Sequence, residues 1–133
     1  MIAQTSIDWV TGLNEPELAD LCRATDEAIL DGNGFGWLSP PPIRTLESYW
    51  RGVLLVPERE LIVARLEGSI VGSGQLMRPP PNNEAQAFTA HITTFFVAPA
   101  ARAHGLGIVM LEAIERRAQE AGFSMLQLDV RAT

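Results

Sequence analysis

The sequence contains no lysine, and all ten of its basic residues are arginine. Walker-type phosphate loops, Schiff-base enzymes and protein kinases all need a lysine, so these classes are excluded. The single cysteine, Cys22, excludes an internal disulfide, and its helical spacing from neighbouring leucines indicates a small buried side chain. A charged leader and a long apolar run are both missing, which favours a cytoplasmic protein with no membrane partner.

Basic residues are fewer than acidic ones, 10 against 16, and the formal net charge is −6 at pH 7. A nucleic-acid partner needs a basic surface and is therefore excluded. The acidic balance favours a cationic or amine-bearing small molecule, with plain solubility as the alternative explanation. A length of 133 residues with 47% hydrophobic content is typical of one globular domain, and we find no internal repeat.

The most informative stretch covers residues 97–107, where a strand pattern gives way to a helix pattern. Pro99 ends the strand because it cannot donate to a sheet ladder, and Gly105 and Gly107 frame the start of an amphipathic helix. Unpaired amides beside such glycines are typical of a phosphate site. Gly122 marks the end of the helix. The polar face consists of Glu112, Glu115, Arg116, Gln119 and Glu120, and the apolar face of Met110, Leu111, Ile114, Ala118 and Ala121.

Two helices are predicted upstream of that stretch. The first begins after the N-cap Asn14, with Glu17 completing a capping box, and ends near Leu30. Thr45 is predicted to cap the second helix, which ends before Pro57.

Strand patterns account for most of the other segments. Gly72 and Gly74, inside one of them, predict a bulge or a close backbone approach. The order is β-α-α-β-β-β-α-β, an α+β arrangement. Strands are predicted at residues 5–10, at 61–66 and 70–77 as a hairpin, at 87–97, and around Leu126, Leu128 and Val130.

This order and its glycine turn resemble the GNAT superfamily of N-acetyltransferases. Residues 102–107, Arg-Ala-His-Gly-Leu-Gly, match its Arg/Gln-x-x-Gly-x-Gly/Ala turn at every defined position, and Val97-x-Pro99 is its usual lead-in. The resemblance covers essentially the whole chain. It implies a single acetyltransferase-like domain over residues 1–133, with a mixed, mostly antiparallel twisted sheet flanked by helices.

The resemblance also implies acetyl-CoA as cofactor, with its pyrophosphate on the helix-start amides and its pantetheine arm along the preceding strand. The alternative use of such glycines, a dinucleotide site, lacks its glycine triplet here. The implied cofactor-binding residues are Phe95, Phe96, Val97, Arg102, Ala103, His104, Gly105, Leu106, Gly107 and Ile108.

His91 is the candidate catalytic base, because imidazole can take up a proton near neutral pH. The family often has a glutamate there, and a hydrogen-bonded strand histidine is the alternative interpretation. Simple alternation places His91 on one face with Thr93, Phe95 and Val97, unless a bulge intervenes. A backbone N–H near Val97 is the candidate donor to the developing oxyanion. No metal site is predicted.

Aromatic residues supply the predicted acceptor pocket. Trp37 and Tyr49 are predicted to bind substrate together with Thr93, whereas Trp50 is predicted to pack in the core.

One departure from the family concerns the end of the chain. The family continues with another helix and two strands, and that helix usually carries the tyrosine that protonates the departing thiolate. Here Tyr49 is the only tyrosine and the sequence stops at Thr133. We expect that a C-terminal part is missing; completion by another chain and a degenerate cofactor binder are the alternatives.

The sequence therefore predicts acetyl transfer from acetyl-CoA to a primary amine of a small molecule. The alternatives are acetylation of a protein N-terminus or lysine, and an acyl-CoA sensor without activity. The oligomeric state stays open, with a homodimer as one alternative.

Overall fold

A computed structural model of the protein describes residues 3–32, 39–79 and 89–128. The predicted order of helices and strands is confirmed, with an additional 3-10 helix before the last long helix. The elements are β1 Thr5–Val10, α1 Glu15–Leu30, α2 Ile43–Leu55, β2 Arg59–Leu66, β3 Ser69–Met77, β4 Thr89–Val97, the 3-10 helix Pro99–His104, α3 Leu106–Glu120 and β5 Met125–Leu128.

The strands form one five-stranded sheet in the order β1-β2-β3-β4-β5. The first four pair antiparallel, whereas β4 and β5 pair parallel because the chain crosses over through α3 between them. The fold is therefore α+β with a mixed, mostly antiparallel sheet, as predicted.

Each face of the sheet buries its own apolar cluster. Helices α1 and α2 cover one face with a cluster centred on Leu21, Leu46 and Trp50. Helix α3 covers the other face through Met110 and Ile114, as its predicted apolar stripe requires. The sheet is thus the middle layer, and β4 lies between the two helical layers.

Local sequence signals explain most of the helix ends. Asn14 and Glu17 form the predicted capping box. The predicted cap at Thr45 is wrong: α2 begins at Ile43, and its N-cap position is Pro42 without a side-chain hydrogen bond. Proline suits a helix start because its ring fixes φ near the helical value, so the helix begins two residues earlier than the threonine indicates.

The predicted β2–β3 hairpin is confirmed, and so is the irregularity predicted at Gly72 and Gly74. Glu67 and Gly68 both have positive φ, as a two-residue hairpin turn requires. The registers of β3 are irregular near Gly72 and Gly74. A Cβ on Gly72 would lie 2.6 Å from the carbonyl oxygen of Phe96, so β3 and β4 approach each other closely there.

Some predictions fall outside the described residues, namely those for Trp37, Val130 and the first two residues of the predicted strand 87–97. Among the helices that the structure describes, none combines the length and the apolar character needed to cross a bilayer.

Candidate active site

Strand β4 carries a bulge at its centre. Its register with β3 shifts between Ser73 and Gln75. Thr94 and Phe95 therefore share a single partner position, Gly74. Thr94 has a left-handed backbone with φ of 49°, uncommon for a residue with a side chain. The missing side chain at Gly74 makes room for the bulge, since a Cβ there would lie 2.9 Å from Cδ2 of Phe95.

The bulge separates His91 from the end of the strand. Ile92 packs in the cluster under α3, and so do Phe95 and Val97 beyond the bulge. His91 and Thr93 consequently lie on the opposite face, which α1 and α2 cover. The prediction that His91 shares a face with Phe95 and Val97 is wrong, because the bulge inserts one residue into the alternation.

Near the end of β4, the backbone of Val97 faces away from β3. The amide of Ala98 donates to the carbonyl of Val71 at 2.7 Å. This bond makes Val97 and Gly72 a non-hydrogen-bonded pair, so the N–H and C=O of Val97 point away from β3. Val97 therefore presents these two groups on the side of β4 away from β3, where its C=O also accepts a hydrogen bond from Arg102 Nε.

The start of α3 lies beside this part of β4. Gly105 has φ of 71° and caps the helix, and no described side chain bonds the first-turn amides. The left-handed backbone explains a glycine at that position, where a Cβ would meet no atom within 4 Å. A Cβ on Gly107 would lie 3.8 Å from Cγ2 of Val97, an ordinary contact. Packing alone does not require the second glycine.

Arg102 is engaged within the protein. Its Nε donates to the carbonyl oxygen of Val97 at 3.1 Å, and its guanidinium forms an ion pair with Asp31 at the end of α1. Both side chains of the pair are less than half exposed. In this arrangement Arg102 fixes the turn after β4 and does not point to the helix-start amides.

The other predicted cofactor residues differ in their exposure. Leu106 packs its side chain in the α3 cluster and Phe96 packs in the opposite one, so only their backbone atoms could meet a ligand. The exposed members of the set are Ala103, His104, Gly105 and Ile108.

A hydrogen-bonded chain of polar side chains crosses the α1–α2 face of the sheet to the bulge. Arg59 donates from Nη1 to Oε1 of Gln75 at 2.7 Å. Because a guanidinium only donates, this bond fixes the amide orientation, and Nε2 of Gln75 donates to Tyr49 Oη at 3.0 Å. Tyr49 Oη and Thr94 Oγ1 are 3.0 Å apart in a further hydrogen bond. Sequence reasoning missed Arg59 and Gln75; the available signal was a glutamine at a core-facing position of β3.

The predicted acceptor residues thus have different positions. Tyr49 reaches the bulge, and Thr93 lies beside Gln75 on the same face. Trp50 is fully buried and donates from Nε1 to Thr25, so the prediction of a core role is confirmed.

Comparison with known proteins identifies the fold. A profile described as the acetyltransferase (GNAT) family matches residues 22–133. The chain belongs to the GNAT family. A curated relative from Azospirillum brasilense, an uncharacterized N-acetyltransferase encoded in the hisH-hisA intergenic region, is 49% identical over 99% of this chain and 79% of its own length. The protein is thus a GNAT N-acetyltransferase.

Solved structures agree with this fold. An N-acetyltransferase from Staphylococcus aureus Mu50 superposes with a TM-score of 0.76 at 17% identity, over 98% of this chain and 75% of that one. An aminoglycoside N-acetyltransferase in complex with CoA gives a TM-score of 0.69 at 14% identity, over 98% and 80% of the two chains.

Three ionisable groups with shifted pKa values, Cys22, Glu17 and Arg65, lie outside the candidate site of this acetyltransferase. Burial raises the pKa of the Cys22 thiol to about 11, so the thiol is protonated at neutral pH and a poor nucleophile. A hydrogen bond from the Asn14 amide, followed by one from Arg65, lowers the pKa of Glu17. The same bond with Glu17 raises the pKa of Arg65. Glu17 and Arg65 join α1 to the first two strands.

Proposed function

We propose that this GNAT acetyltransferase transfers the acetyl group of acetyl-CoA to a primary amine of a small molecule. The observation that carries the proposal is the position of the Val97 backbone, which faces away from β3, next to the start of α3, where no described side chain bonds the first-turn amides. The shared fold with an aminoglycoside N-acetyltransferase bound to CoA supports both the cofactor and a small acceptor.

The residues present fit CoA. The first-turn amides of α3 offer several donors and a positive dipole end to a pyrophosphate, and the open space at Gly105 leaves room for it. The N–H and C=O of Val97 would bond the amides of the pantetheine arm, and by alternation so would those of Phe95. When bound, acetyl-CoA supplies the activated acyl group as a thioester.

A carboxylate at residue 107 should weaken CoA binding without unfolding the protein. Glu at this first-turn position favours the helix through its dipole, and replacement of glycine adds helix propensity. The same carboxylate repels the pyrophosphate, so we expect Gly107→Glu to raise the Kd of CoA by about tenfold or more. Titration calorimetry gives the Kd, and urea unfolding gives the stability.

The matched control is Gly107→Gln, which has nearly the same size without the charge. A carboxamide should weaken CoA binding much less than the carboxylate, and the gap between the two variants should shrink as salt screens the charge. Equal CoA affinity of wild type and Gly107→Glu would place the pyrophosphate elsewhere.

The amine has to lose a proton before it attacks. An alkylammonium with a pKa near 10.4 costs about 4–5 kcal/mol to deprotonate at pH 7. We assign His91 as the base, directly or through water, because it lies on the α1–α2 face with Thr93 and the polar chain at Tyr49. The N–H of Val97, which faces away from β3, would stabilise the oxyanion.

A panel of amines with acetyl-CoA, read out as free thiol, tests the proposal. We expect thiol release with at least one small primary amine, at a rate that saturates with amine concentration. Faster release with N-terminal peptides or lysine peptides than with every small amine would favour a protein acceptor. Tight CoA binding without thiol release for any amine would favour a sensor.

A further inference from the structure

Arg59 differs from the other arginines in the part of the chain that the structure describes. It is half-buried, yet it has no carboxylate partner among the described residues. Arg44 and Arg116 also have none there, but both are exposed to solvent. The arginines with a carboxylate partner are Arg23, Arg51, Arg65, Arg78, Arg102 and Arg117.

The partner of Arg59 is a neutral amide. Its Nη1 donates to Gln75 Oε1, and among the described residues neither its remaining donors nor its charge has an anionic partner. Burying a guanidinium is unfavourable unless an anion neutralises it. The planar fork of arginine matches a carboxylate or a phosphate with two parallel hydrogen bonds. Arg59 is therefore a half-buried cation that lacks an anionic partner among the described residues and is suited to bind one.

The register places Arg59 on the face that carries the candidate base. Arg59 pairs with Met77 across β2 and β3, and Met77 pairs with His91 across β3 and β4. Paired residues share a face, and two strand spacings amount to about 10 Å between the Cα atoms of Arg59 and His91. The hydrogen-bonded chain through Gln75 and Tyr49 also connects Arg59 to the bulge at Thr94.

We infer that the acceptor carries an anionic group, a carboxylate or a phosphate, several bonds away from its amine, and that Arg59 binds this group. This inference rests on the proposed function, since it describes the acceptor of that reaction. The amine end of such an acceptor also agrees with the net charge of −6, which attracts an ammonium group.

The test compares acceptors of equal chain length in the wild-type enzyme. An ω-amino carboxylate and an amino-alkyl phosphate are each compared with the ω-amino amide and the simple alkylamine. We expect kcat/KM at least about tenfold higher for one of the anionic acceptors, and the better of the two identifies the anion. Equal kcat/KM across the panel would overturn the inference while leaving amine acetylation established, whereas no acetylation of any amine would refute the proposed function itself.

Variants locate the anion site. Arg59→Gln should remove the preference for the anionic acceptor, because the KM of that acceptor should rise more than the KM of the simple alkylamine. Arg59→Lys should restore part of the preference, and Arg44→Gln, an exposed arginine on α2, serves as the matched control. A preference that survives Arg59→Gln would place the anion elsewhere. Because the wild-type comparison needs no variant, a poorly folding Arg59→Gln would still leave the inference testable.

Discussion

Replacing His91 by alanine should lower kcat by about a hundredfold or more at neutral pH, the usual effect of removing a general base. The imidazole lies on the α1–α2 face of β4, away from the side chains of Phe95 and Val97 that pack under α3. The variant should therefore keep its affinity for CoA, and the loss should appear in kcat. Stopped assays of thiol release, with CoA affinity measured separately, check both expectations.

The pH dependence distinguishes a base from a structural histidine. In His91→Ala the deficit should shrink as pH rises, because more of the amine is already deprotonated in solution. Thr93→Ala, on the same face, is the control and should lack this pH dependence. A rate for His91→Ala equal to wild type at every pH would show that another group, or solvent, takes the proton.

Regular features of the fold could be predicted because each is set by nearby residues. The capping box at Asn14 and Glu17 and the turn at Gly68 are formed by side chains or backbone angles within a few positions. The amphipathic stripe of α3 and the run that ends in Gly107 are likewise local patterns. These local signals were enough to identify the family, and they placed the start of α3 correctly.

Side-chain placement at the site could not be predicted in the same way. The bulge at Thr94 depends on the strand opposite, where Gly74 has no side chain to resist it, and one inserted residue was enough to move His91 to the other face from Val97. The glycines of β3 were a signal for a bulge, but they did not show which strand carried it.

Long-range contacts were a second limit. Arg59 and Gln75 meet because of the register between β2 and β3, and Tyr49 reaches Gln75 because α2 docks on that face of the sheet. Neither the register nor the docking is encoded by the residues next to them in sequence. Arg102 illustrates the same limit, because its ion pair with Asp31 spans most of the chain. In both cases an arginine, a residue type that is usually exposed, makes specific contacts beside the site.

The docking of α2 depends most on Trp50, and Trp50→Ala should lower the free energy of unfolding by about 3–5 kcal/mol. The indole is fully buried, and its Nε1 donates to Oγ1 of Thr25 at 3.1 Å. The Thr25 hydroxyl in turn donates to the carbonyl of Leu21 at 2.6 Å. The change thus creates a large cavity and removes the partner of a buried hydroxyl. Urea unfolding followed by circular dichroism measures the loss.

Trp50→Phe separates the two contributions. Phenylalanine retains much of the packing but cannot donate, and since Thr25 still bonds Leu21, the cost should fall to about 1–2 kcal/mol. Tyr49→Phe, at the next position of α2, loses only the hydroxyl that bonds Gln75 and Thr94, so it should affect acceptor kinetics more than stability. An altered amine KM with unchanged stability in Trp50→Ala would instead make Trp50 a wall of the acceptor pocket. Because its ring packs edge-on against Tyr49 with centroids 5.0 Å apart, Trp50 acts on the site by holding Tyr49 at the bulge.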